Sequence, residues 1–146
     1  MKKVTALLLA LTMVFALAAC GGGSGGDGKT WPDTDYLTAS EKYTGAGNIT
    51  QTSVWDNEDI TVDINGATDA SVSEYISKLE SAGWKQIEDS PTTTDEQTNY
   101  GLIKDGHDSF IEVAYFKAAK TEELSTGNYS YNLSIMVDKD GGELYE

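Results

Sequence analysis

The chain opens with two lysines and a 16-residue apolar-leaning run, residues 4–19, and only then settles into shorter alternations of hydrophobic and polar positions. After a glycine-rich stretch, positions 49–55 are rich in threonine and β-branched residues, which predicts a strand. Ile60, Val62 and Ile64 alternate with Thr61 and Asp63, the period of a half-buried strand, and the polar turn 56–59 makes the two a hairpin. Val72, Tyr75, Ile76 and Leu79 follow the i, i+3, i+4, i+7 spacing of one helical face. Ser71 and Glu74 have capping-box spacing at its start, and Gly83 suits its left-handed stop. Strands are predicted over 84–88, 99–104, 110–117 and 129–137, with polar loops at 90–98 and 118–128. The 110–117 stretch, with little alternation, reads as a central strand. The last one alternates Tyr129, Tyr131, Leu133, Ile135 and Val137 with a polar set.

The element order β-β-α-β-β-β-β predicts an α+β fold. Its sheet is mostly antiparallel, of five to six strands, because the late connections are short enough for hairpins. One helix covers one face and leaves the other partly wet. Residues 31–47 have no regular period and are expected to lie over the domain as an irregular segment, pinned by Trp31 and Leu37. Residues 20–30 read as a flexible tether with a reach on the order of 15–20 Å, and 31–146 as a single globular domain.

The opening run changes the picture of where the protein resides. It is short for a membrane span, which needs ~20 residues. Lys2, Lys3, the apolar run and the small residues before Cys20 have the layout of a signal peptide. Leu17-Ala18-Ala19-Cys20 resembles the lipobox of bacterial lipoproteins. That resemblance implies removal of residues 1–19, a diacylglyceryl thioether on Cys20, and a lipid-anchored protein on the cell membrane facing away from the cytoplasm. Cys20 is the only cysteine, so a disulfide within the chain is excluded.

Charge narrows the partners. The chain carries 10 basic and 24 acidic residues for a net charge of −14, and it has no arginine. Such a surface repels phosphate backbones, and nucleic acid is not an expected partner. An anionic ligand is disfavoured too, since the guanidinium fork that grips carboxylates and phosphates is missing.

Candidate chemistry is sparse. The single histidine, His107, sits in an Asp-Gly-His-Asp stretch that reads as an exposed turn, and no nucleophile constellation accompanies it. No catalytic set and no cofactor beyond the covalent lipid are expected. Asp138, Asp140 and Glu143 offer calcium-type oxygen ligands, but without EF-hand spacing, so a turn is the preferred reading. Aromatic residues are the more informative class. Alternation assigns Tyr129 and Tyr131 to the helix-covered side, with Tyr129 at the rim. There Tyr100, Tyr129 and Tyr131 are expected to form a shallow site for an uncharged or basic group.

Several of these features occur together: the lipobox, the glycine tether, Trp31-Pro32, the glycine-rich entry to the first strand at 45–49, and a helix ending Leu79-Glu80-Ser81-Ala82-Gly83-Trp84. In this combination the chain resembles small lipoproteins of Gram-positive bacteria that carry an uncharacterised domain. The resemblance implies a small α+β domain and transfers no catalytic residue. The resulting expectation is a non-enzymatic binding or interaction domain on the outer cell face. The alternatives are an accessory subunit or inhibitor of another envelope protein and a hydrolase of wall glycans.

Overall fold

A computed structural model describes residues 30–55, 58–125 and 127–145. Within them lie strands β1 (Asn48–Val54) and β2 (Ile60–Asn65), helix α1 (Asp69–Ser81), and strands β3 (Trp84–Gln86), β4 (Thr92–Thr93), β5 (Gln97–Lys104), β6 (His107–Leu124) and β7 (Gly127–Asp138). A 3-10 turn (Gly141–Tyr145) ends the chain. The strands form one sheet in the order β1-β2-β7-β6-β5-β3, with β4 paired to β5, and every pair is antiparallel. The class is α+β with one helix, as the pattern predicts, but there are seven strands rather than five or six. The addition is β4, two threonines inside the segment read as a polar loop. No helix among the described residues is long and apolar enough to cross a membrane. Cys20 and the tether lie outside the described residues.

Register explains which side becomes the core. Val62, Ile135 and Val113 are successive partners across β2, β7 and β6. Ile60, Val137, Ile111 and Leu102 form the next row. All of these are buried, and they pack against Val72, Tyr75, Ile76 and Leu79 of α1. The helix begins three residues earlier than the Ser71 signal suggests. Thr68 is the N-cap, its hydroxyl accepting from Ser71 N–H while the Ser71 hydroxyl accepts from Thr68 N–H. This box wins because the approach to it is held from afar. The Asn132 side chain accepts from Gly66 and Ala67 N–H and donates to the Ala67 carbonyl. The stop is as expected: Gly83 has φ +96°, a conformation that favours glycine.

Residues 31–47 do lie over the domain without regular structure. Leu37 and Tyr43 enter the core, and Trp31 packs against it. The Tyr75 hydroxyl donates to the Glu41 carbonyl, and the Tyr43 hydroxyl bonds Ser71 Oγ at 2.7 Å. His107 belongs to this arrangement and is not a free turn residue. It opens β6 and is half-buried. Ser109 N–H donates to its Nδ1 at 3.3 Å, so Nε2 holds the proton and meets the Tyr36 carbonyl at 3.1 Å. Its ring lies 5.2 Å from Trp84. His107→Ala is therefore expected to cost about 1–2 kcal/mol, read as a lower urea midpoint. An unmoved midpoint would return His107 to the role of a solvated turn residue.

The largest departure from the predicted elements is at β6 and β7. The segment 118–128, expected as a loop, continues both strands into a two-stranded arm that pairs Lys120 with Tyr131 and Leu124 with Gly127. The ladder slips at the base of this arm: between Tyr115, opposite Leu133, and Lys120, opposite Tyr131, four residues of β6 face one of β7. Such a bulge bends the ribbon and re-aims side chains.

Candidate functional site

The slip at the base of the arm decides where the tyrosines go. Simple alternation would place Tyr131 beside Leu133 on the helix side. Instead it is buried with Ala114 and Phe116, and Tyr129 packs on the same group. Ala114 pairs with Ser134 and Asn99, and Ser134 pairs with Asp63. The cluster therefore occupies the face opposite α1. Tyr100 pairs with Val113 and packs against the main core on the helix side. The three tyrosines expected to share one rim site are thus split by the sheet. Tyr129 and Tyr131 come together and Tyr100 does not join them.

The face away from the helix gathers polar groups that the sequence reading did not single out. Asp63, Ser134, Ala114 and Asn99 form one row across four strands, and Thr61, Met136, Glu112 and Gly101 form the next. Asp63 is 5 % exposed, Glu112 4 % and Asn99 6 %. Each keeps one buried oxygen without a hydrogen-bond partner: Asp63 Oδ1, Glu112 Oε1 and Asn99 Oδ1. The second oxygen of Asp63 accepts from the Tyr129 hydroxyl at 3.0 Å, and Tyr131 donates to Glu122 Oε1 at 3.4 Å. Tyr129 and Tyr131 stack with centroids 5.7 Å apart, and Phe116 meets Tyr131 edge-on at 5.8 Å.

Electrostatics follow from this burial. Desolvation pushes Asp63 up to about 6, with the Ser134 and Tyr129 hydroxyls working against the rise and the Glu122 charge adding to it. Burial alone pushes Glu112 up to about 7. Both tyrosine hydroxyls are raised well above the usual phenol range by burial and by the Asp63 and Glu122 charges, so they remain neutral donors. The Glu112 end is roofed by the C-terminal turn, where Tyr145 stacks on Phe110 at 4.8 Å. Gly142 lets that turn sit close, because a Cβ there would lie 2.7 Å from the Asp108 carbonyl oxygen.

The acidic tail is built into the same turn. Asp138 Oδ1 accepts from Asp140 N–H at 3.1 Å, which spends this carboxylate on holding the backbone, while Asp140 and Glu143 are exposed. No group of three or more histidine, cysteine, aspartate or glutamate side chains among the described residues is arranged to hold a metal ion. A separate cavity of about 180 Å³ lies between α1 and the N-terminal segment, lined by Thr44, Gly45, Ser71, Glu74, Tyr75 and Lys78. The Lys78 ammonium is already bound to the Lys42 carbonyl at 2.6 Å. A ligand pocket typically needs ~300 Å³ or more.

Two signals in the sequence could have found the polar face. Glu112 is the lone charge in the apolar run 110–116, and Asp63 stands between Val62 and Ile64. The partnership of Tyr129 with Asp63, 66 residues apart, left no local signal. The chain matches no protein-family model, and neither the curated proteins nor the solved structures yield a match.

Proposed function

We propose that this chain is a lipid-anchored, non-enzymatic binding domain carried on the outer face of a cell membrane, and that it receives its partner on the sheet face opposite α1. The observation that carries the reading is the cluster of Tyr129, Tyr131 and Phe116 over Asp63 and Glu122. Aromatic surface beside carboxylates is a recognition surface for uncharged or basic groups. The lipobox and glycine tether support the location. Two acyl chains at about 0.8 kcal/mol per buried CH₂ hold a protein on a bilayer, and the tether lets the domain stand off the headgroups. The partner classes that suit this place are another envelope protein, for which the domain would serve as accessory subunit or inhibitor, and a wall glycan.

Two measurements test the two halves of the reading. Metabolic labelling with an alkyne fatty acid should mark the protein, and Cys20→Ala should abolish the label and release the protein from the membrane. Label retained by the variant rejects the anchor. Capture of partners from envelope extract should be lost in Tyr129→Ser/Tyr131→Ser while circular dichroism stays native. Full capture by the folded variant rejects the face.

A hydrolase of wall glycans is favoured by one specific observation, the two buried carboxyls of Asp63 and Glu112 with raised pKa values on one face. Register separates them by two strand spacings and two residues along the strand, about 11–12 Å between Cα atoms. The roof over Glu112 sets this reading second. Release of sugars from purified wall material, lost in Glu112→Gln, would promote it.

A further inference from the structure

We propose that Asp63, Glu122, Tyr129, Tyr131 and Phe116 form a site for an alkylammonium group, the chemistry shared by a lysine side chain and a free diamine; this gives a ligand class to the binding face proposed above, on which it rests.

An imbalance of charge is the first support. Asp63 and Glu122 both act on each of the two tyrosine hydroxyls. Yet the ion pairs of the described residues join Lys85 to Asp105, Lys104 to Glu41 and Lys139 to Glu58, and none reaches Asp63 or Glu122. Two carboxylates and two phenols are thus held together without a cation. The second support is Asp63 Oδ1, which is buried and has no hydrogen-bond partner, while Oδ2 of the same group is satisfied by Tyr129. A charged N–H donor is the group that satisfies such an oxygen most strongly.

Ring geometry selects among cations. Stacked Tyr129 and Tyr131, with Phe116 against them, present aromatic carbon beside the carboxylates. Ring faces attract ammonium groups, whereas a hard divalent ion demands a shell of oxygen ligands. The chain already shows the preference: Lys120, paired in register with Tyr131, places its Nζ 5.3 Å from the centroid of Phe116. An incoming ammonium therefore competes with a tethered one. The net charge of −14 raises the local concentration of any cation.

The test uses the full protein purified from membranes in detergent. It is titrated with cadaverine, with Nα-acetyl-lysine methylamide, with the uncharged Nα-acetyl-norleucine methylamide and with calcium chloride, followed by tyrosine fluorescence and NMR shifts. Both amines should saturate and perturb Tyr129 and Tyr131, and the norleucine compound should not. Tighter binding of the lysine compound points to a polypeptide source, and tighter binding of cadaverine to a free diamine. Asp63→Asn should weaken amine binding about tenfold. Glu122 is more exposed and Glu122→Gln leaves the buried row untouched; it should weaken binding about threefold. Lys120→Ala should strengthen binding about twofold by freeing the Phe116 face. Equal response to norleucine, or amine affinity unchanged in both carboxylate variants, overturns the proposal. Saturation by calcium without response to the amines overturns it in favour of a metal site. If the amines fail while Tyr129→Ser/Tyr131→Ser still loses a captured partner, the ligand class falls and the binding face stands.

Discussion

Replacing Glu41 by alanine is expected to lower the unfolding free energy by about 3–5 kcal/mol, the cost of stripping one partner from a buried charge network. Glu41 is 2 % exposed. Its Oε2 accepts from Thr38 N–H at 2.8 Å, the Thr38 hydroxyl at 2.6 Å and the Ser40 hydroxyl at 3.1 Å. Its Oε1 accepts from Trp84 Nε1–H at 3.0 Å and faces the Lys104 ammonium at 3.8 Å. One carboxylate therefore fastens the N-terminal segment to β3 and β5. Burial pushes this group up, but the bonds from Thr38, Trp84 and Ser40 prevail and hold it at about 2, against an ordinary 4.5. A depressed folded value contributes stability that is fully present above pH 4.5 and is lost as pH falls toward 2. The difference is worth about 3 kcal/mol at neutral pH. Urea unfolding of the chain from residue 30 at pH 7 and pH 3 checks both statements. Glu41→Ala should lower the midpoint strongly at pH 7 and shrink the acid loss. A variant as stable as the parent at pH 7 would mean that the segment is not fastened through Glu41.

This network shows what kind of information a sequence carries and what it withholds. The α1 face was legible because Val72, Tyr75, Ile76 and Leu79 repeat with the period of the helix they form, and burial rewards that same period. The β2 and β7 alternations were legible for the equivalent reason at period two. The start of α1 was not, because Thr68 and Ser71 both carry a hydroxyl and the choice was made by Asn132, a long-range partner. The arm of β6 and β7 was missed because residues 118–123, Ala-Ala-Lys-Thr-Glu-Glu, favour a helix intrinsically and show no alternation. The pairing of each strand with the other holds them extended. The side on which Tyr131 lies was invisible as well. It depends on a register slip, and register is a property of two strands rather than one. Asp63 and Glu112 were in plain view as charges in apolar strands, but what a buried charge costs or serves depends on its neighbours.

Glu112→Gln is expected to act in the opposite direction and make the protein more stable by about 2–3 kcal/mol at pH 8. Glu112 is held at about 7 by burial, against an ordinary 4.5. A folded value raised above the unfolded one contributes stability that is fully present below pH 4.5 and is lost as pH rises through 7. Above that point the folded chain carries a buried, ionised carboxylate that the unfolded chain would hydrate. Asp63, raised from 3.8 to about 6, adds a loss of the same sign over an overlapping range. Together with Glu41, lost on the acid side, they place maximum stability near pH 4–5 and make the parent weaken toward pH 8. Glutamine keeps the shape of Glu112 and removes the ionisation. It also puts a donor on the face where Asn99 Oδ1 has none, diagonally across the β5–β6 ladder, a distance long side chains reach. The midpoint of Glu112→Gln should therefore exceed that of the parent at pH 8 and nearly equal it at pH 5. A variant less stable than the parent at pH 8 would mean that Glu112 has a partner that favours its charge. A chain that keeps two such carboxyls under one sheet face bears a cost there that its fold does not require. The ease with which stability is recovered at Glu112 measures that cost on the same face proposed to bind.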